Sequence, residues 1–257
     1  MNISINGPKI YFRIRFFGSY INITQTTVSI LAVTLILITA AYFLGRNLKK
    51  KPGRLQVVTE KMVTMLYNMV EDTMGKHNLK YAPYIGTLFL SSMIGTLLGM
   101  TQLFRSSTAD LSVTLAWALV TSVMVWYSSI KNFGFKSWLK GFTEPIVVMT
   151  PMNIVSEIAQ PISLAFRHFG NVAGGGVLTT LIYTALSAAT SIVFGWLPGL
   201  LGEIPFFTAG IPAFLSVYFD LFSGFVQALV FCLLTMVYVG TANPPPEELQ
   251  PANAENK

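Results

Sequence analysis

Charge is what this sequence has least of. Of its 257 residues only 11% are Asp, Glu, Lys or Arg, against about 25% in an ordinary soluble domain. That deficit excludes a solvated globular surface. Histidine is scarce too, with His77 and His168 alone, and no H-E-x-x-H or G-x-S-x-G run occurs, which argues against a zinc or serine hydrolase buried in the membrane. The one cysteine, Cys232, cannot form an intrachain disulfide and suggests no thiolate metal site. Nucleotide chemistry is absent as well, because Gly174, Gly175 and Gly176 are not followed by the lysine and hydroxyl that hold phosphate and magnesium. No basic patch is interleaved with aromatics, so no nucleic-acid partner is expected, and no cofactor is expected either. The N-terminus lacks the short apolar core and small-residue cleavage site of a signal peptide, and the first span is expected to direct insertion itself. Internal repeats of the kind that build a secondary transporter are missing.

Hydrophobic residues make up 53% of the chain, gathered in blocks that reach the roughly 18 residues needed to cross a bilayer. The expected fold is an all-α membrane protein of about five spans, a single integral membrane domain over 1–257. Residues 1–26 read as an outer mixed tail whose final threonines can cap a helix. Residues 28–44 are the first span. Residues 55–80 alternate apolar positions with Glu60, Lys61, Glu71 and Asp72 at helical period, which predicts an amphipathic helix lying on the membrane surface. The second and third spans fall within 84–130, followed by a loop holding Lys131, Lys136 and Lys140. Residues 153–239 contain two unusually long apolar stretches, 153–186 and 205–239, and 243–257 is a proline-rich solvated tail. Arg46, Lys49, Lys50, Lys51, Arg54 and the later lysines lie together on one side in a five-span topology, which favours the N-terminus outside and the C-terminus inside.

A stretch of about 34 residues reaches roughly 50 Å against a hydrocarbon core of about 30 Å. The last two helices are therefore expected to form a long, steeply tilted hairpin, with Pro161 and the three glycines as places to bend or pack closely. The alternative is a shorter helix with an interfacial extension. Each stretch carries one polar stripe: Ser156, Gln160, Ser163, Arg167, Asn171 and Gly174 on the first, and Ser216, Asp220, Ser223, Gly224 and Gln227 on the second. Arg167 lies deep in its apolar stretch, where an arginine costs about 2.5–3.5 kcal/mol by insertion scales. Its guanidinium stays cationic where a lysine could lose its proton. It either serves a charge-dependent function or joins the helices through Asp220 or Gln227. Glu157, toward the inner end, and Asp220, toward the outer half, are acids able to relay protons in a wet channel. They fall on opposite sides of Arg167, which predicts two access routes separated by a fixed positive charge. His168 points about 100° away from Arg167 around the helix and is expected to make packing contacts.

The run PISLAFRHFGNVAGG, Pro161 to Gly175, resembles the signature of subunit a of F-type ATP synthases. Three further segments fit in order: Arg105 to Leu119, Met152 to Pro161, and Val226 to Val239 with Gln227 at the family's glutamine. The resemblance implies a non-catalytic, proton-translocating stator subunit in a bacterial plasma membrane, or alternatively an organellar inner membrane. Its partners would be the c-subunit ring, peripheral-stalk b subunits, the remaining ATP synthase subunits and the lipid bilayer. Arg167 would match the arginine that keeps a passing ring carboxylate ionised. Asn171 and Asp220 would belong to the outer half-channel, with Asp110 and Glu203 at its mouth, and Glu157, Ser156 and Gln160 would line the inner one, while Gln227, two turns beyond Asp220 on the same stripe, would hydrogen-bond Arg167. The sequence departs from the family at Gly176, where many members carry a glutamate, and at position 220, often histidine, which holds Asp. The expectation is that the acid has moved to the facing helix.

Overall fold

A computed structural model describes residues 10–16, 19–46, 48–101, 104–144, 146–194 and 217–246. The first elements are two short strands, β1 (Ile10–Phe16) and β2 (Ser19–Thr24), paired antiparallel with Arg13 opposite Asn22 and Arg15 opposite Tyr20. These strands lie within the stretch 1–26 read from sequence as a mixed tail, of which 1–9, 17 and 18 fall outside the described residues. Their sequence alternates in the β-branched and aromatic residues that suit a pleated ribbon. The chain then turns directly into α1 (Gln25–Arg46). Thr24 caps it, its Oγ1 accepting the backbone N–H of Thr27 at 3.4 Å, so the threonines act as the sequence suggested.

The amphipathic stretch is α2 (Arg54–Met74), after which the chain tightens into a 3₁₀ turn over Lys76–Tyr81. The helix stops short of residue 80 because Gly75 takes φ +80°, a left-handed conformation that suits glycine, while its N–H returns to the Glu71 carbonyl at 2.9 Å. The next two spans are α3 (Ala82–Met100) and α4 (Leu111–Phe133). The lysine-bearing segment expected as a loop contains a further helix, α5 (Phe135–Gly141), separated from α4 by Gly134 at φ +83°. A helix of seven residues makes about two turns, too few for its period to stand out among the lysines that suggested a loop.

The first long stretch is α6 (Thr150–Phe194), 45 residues without a break, or about 67 Å at 1.5 Å per residue. Pro161 lies inside it and removes one helical hydrogen bond, the one that would reach the Glu157 carbonyl. The glycines do not interrupt the helix, and a Cβ added at Gly174 or Gly176 would meet nothing within 4 Å among the described residues. Of the second stretch, 205–216 lies outside the described residues. The described part begins with a π-helical turn over Val217–Phe222, which leads into α7 (Ser223–Thr241). Among the described residues five helices are long and apolar enough to cross a membrane, as the all-α membrane class requires.

Contacts gather the chain into two units, residues 1–33, 92–111 and 167–228, and residues 34–91, 112–166 and 229–257. Their interiors differ in chemistry. In the second, the buried side chains include Val70, Ile85, Leu88, Phe231, Met236 and Val239, with the Trp117 and Phe231 rings edge to face at 6.3 Å. In the first, only Val33 and Ala228 are buried apolar residues among those described, whereas Ser92, Thr96, Ser107, Thr108, His168 and Gln227 are all buried. Such an interior is held by hydrogen bonds and close backbone approach. A Cβ on Gly224 would sit 2.7 Å from Thr96 Cγ2, and one on Gly99 would sit 2.6 Å from Ser106 Cβ and 3.0 Å from its Cα. Gly99→Ala is therefore expected to destabilise the purified chain by about 1–3 kcal/mol, read as a lowered melting temperature in detergent. Unchanged melting would show that the turn can give way.

Candidate functional site

The first unit places the polar stripes of α6 and α7 side by side. Ser223 Oγ donates to Asn171 Oδ1 at 2.7 Å. That bond fixes which end of the Asn171 amide points where, and Asn171 Nδ2 approaches the Ser223 carbonyl and Gln227 Oε1, each at 3.4 Å. The chain of donors thus runs from hydroxyl to amide to amide and ends at Gln227 Nε2, which is buried and has no partner among the described residues. A buried, unpaired donor is costly unless water or an incoming acceptor meets it. The resulting line of hydroxyls and amides suits water or an ion and holds no nucleophile paired with a base.

Arg167 stands one turn before Asn171 on α6. Its side chain is exposed and forms no hydrogen bond or ion pair with the described residues. Its neighbour His168 turns inward, is 1% exposed and has Nε2 2.9 Å from Ser92 Oγ. The 100° offset separates a packing residue from a charged one, as the helical period predicts.

The second unit holds the other candidate acid. Glu157 is half-buried, and the Trp126 indole N–H donates to its carboxylate. Together with Ser156, Gln160, Asn153 and Glu144, Glu157 lines a cavity of about 480 Å³. Three residues singled out from sequence, Ser156, Glu157 and Gln160, are thereby brought together. Trp126 was missed, since a tryptophan in an apolar run reads as lipid-facing filler and nothing in its own helix marks a partner on another.

The remaining candidates are more scattered. Asp110 is half-buried and extended at the position preceding α4, where a carboxylate also suits the positive end of a helix. Glu203 lies outside the described residues. The backbone of Asp220 is part of the π-helical turn, and its side chain lies outside the described part. The wider turn shifts the register of 217–222 against the α-helical stripe assumed from spacing.

Residues 26–240 match the ATP synthase A chain family. The chain is 33% identical over 232 residues to "ATP synthase subunit a, sodium ion specific" of Propionigenium modestum, covering 84% of this chain and 73% of that protein. It is also 33% identical to "ATP synthase subunit a 1" of Crocosphaera subtropica, covering 86% and 88%. Against "ATP synthase subunit a" of Bacillus subtilis it is 30% identical, covering 89% and 95%.

Proposed function

This chain belongs to the ATP synthase A chain family, and from that premise we propose how its own residues move ions. It is an ion-translocating stator subunit of an F-type ATP synthase, a multi-pass membrane protein without a catalytic site of its own. In our reading two offset half-channels serve a ring of c subunits, and Arg167 separates them. The observation that carries the reading is the order of groups along α6. Glu157 lies in its cavity, Arg167 follows ten residues later on an exposed surface, and Asn171 comes one turn after that in the amide network.

Each group has a distinct task. Ser156, Glu157 and Gln160 form the inner route, in which the carboxylate exchanges protons with water and the Trp126 indole orients it. Asn171, Gln227 and Asp220 form the outer route, with Asp110 and Glu203 at its mouth. The unpaired Gln227 Nε2 offers a donor to water or to an oxygen of the ring. Arg167, flanked by exposed Ile162 and Phe166, meets the ring. It keeps the passing carboxylate charged and denies ions a continuous wire, so they cross only by riding the rotor. Each elementary charge carried through the field then yields about 2.3 kcal/mol per 100 mV. We assign the choice between H⁺ and Na⁺ to the ring site. The peripheral-stalk b subunits hold the chain still, the N-terminus faces outside, and the membrane is a bacterial plasma membrane.

Glu157→Gln tests the inner route. The amide keeps size and hydrogen bonding but cannot exchange a proton, so ATP-driven ion uptake by the reconstituted complex is expected to fall on the order of a hundredfold. Trp126→Phe is expected to cause a smaller loss that vanishes in the Glu157→Gln background. Additive effects would break the assigned link. Ion conduction by this chain alone in vesicles, at the rate of the whole complex, would overturn the two-route reading.

A further inference from the structure

The N-terminal hairpin has no part in the channel reading. It is nonetheless folded, and it exposes residues that water alone does not favour. Tyr11, Phe12 and Tyr20 are 51%, 69% and 66% exposed. A lone two-stranded hairpin is marginally stable in water, so a surface that accepts these rings would stabilise it. The register decides what else that surface meets. Arg13 and Arg15 sit two apart on β1, and their cross-strand partners Asn22 and Tyr20 share their face. The two exposed arginines are about 7 Å apart along the strand, with an amide and a phenol opposite. No acidic residue occurs anywhere before Glu60, so nothing local neutralises them, and Lys9 adds to the same charge.

Position names the occupant. β2 ends at Thr24 and the membrane-crossing α1 begins at Gln25, with no linker. The hairpin is thereby held at the level where headgroups meet acyl chains. Aromatic rings favour that zone, and guanidinium groups bind phosphate in a forked geometry that a point charge cannot match. We propose that the paired strands Ile10–Phe16 and Ser19–Thr24 form an anionic-phospholipid binding site, in which Arg13 and Arg15, with Tyr20 and Asn22, hold headgroup phosphates while Tyr11 and Phe12 settle at the headgroup boundary. The site anchors the N-terminal end of α1 and resists rotation of the stator under load.

The test uses the assembled complex in phosphatidylcholine vesicles with and without phosphatidylglycerol. Phe12→Trp supplies a reporter, read after subtraction of the wild-type tryptophan signal, and each lipid in turn carries a spin label close to its headgroup. Several-fold stronger quenching by labelled phosphatidylglycerol than by labelled phosphatidylcholine is expected. Adding Arg13→Gln and Arg15→Gln should bring that ratio close to one, and high salt should weaken it. Tyr20→Trp serves as the reporter if Phe12→Trp hinders assembly. Equal quenching by the two lipids would overturn the proposal. So would absent quenching with the reporter shielded from water, which would assign the hairpin to a neighbouring subunit.

Discussion

Replacing Arg167 with alanine is expected to reduce ATP synthesis and ATP-driven ion uptake to background, while the complex assembles at the wild-type yield. The second half of that expectation rests on geometry. The guanidinium is exposed and makes no hydrogen bond or ion pair with the described residues, so its loss leaves no described donor or acceptor orphaned in the interior. An arginine holding two helices together would behave differently, since breaking a buried pair costs about 3–5 kcal/mol. The first half rests on electrostatics. A positive charge about 4 Å from a carboxylate contributes about 4 kcal/mol at an effective dielectric of 20, enough to shift ionisation about a thousandfold. Without it the ring acid is expected to keep its proton as it passes, so no ion is exchanged between the two proposed routes.

Arg167→Lys separates charge from permanence of charge. An ammonium in an apolar surrounding loses its proton far more readily than a guanidinium, so lysine is expected to leave the complex largely uncoupled. Passive ion permeability should rise in Arg167→Ala if the guanidinium is the barrier we propose between the two routes. Coupled activity within a factor of about ten of wild type would sink the assignment, since far less survives the loss of a 4 kcal/mol interaction.

The parts of the fold legible in the sequence are those that a one-dimensional pattern encodes. Apolar runs mark spans, so α1, α3, α4 and α6 appear close to where they were expected, and the period-3.6 alternation of α2 separates it from them. Polar residues inside apolar helices stand out for the same reason, which is why Arg167, Asn171, Glu157 and Gln227 could be named. The misses share a cause as well. The β hairpin and α5 are too short for their periods to rise above neighbouring apolar sequence. The π-helical turn before Ser223 depends on backbone hydrogen bonding that composition does not record. Partners across helices are the least legible of all. Ser92 on His168, Trp126 on Glu157 and the direction of the Ser223–Asn171 bond exist only once the helices are packed. The departure at Gly176 and Asp220 is legible in the letters alone.

Asp220→Asn is expected to lower coupled ion transport on the order of a hundredfold, the usual effect of losing a positioned proton-transfer group, and Gly176→Ala to leave it within about twofold. The comparison is a fair one on structural grounds. A Cβ at Gly176 meets nothing within 4 Å, and alanine is better than glycine within a helix by about 0.5–1 kcal/mol, so any loss there would reflect the channel and not the fold. Asparagine at 220 keeps nearly the same volume and can still give and accept hydrogen bonds, but it cannot take up a proton near neutral pH. If the travelling ion is Na⁺, the same change removes a hard anionic oxygen, and the direction of the effect is unchanged. The decisive variant combines Asp220→Asn with Gly176→Glu, which puts an acid at the position where the sequence resemblance leads one to expect it. Recovery of a substantial fraction of transport would mean that the outer route needs one carboxylate and tolerates it on either helix. A double variant as inactive as Asp220→Asn, or a Gly176→Ala loss larger than that of Asp220→Asn, would mean that the acid at 220 does not stand in for the absent glutamate.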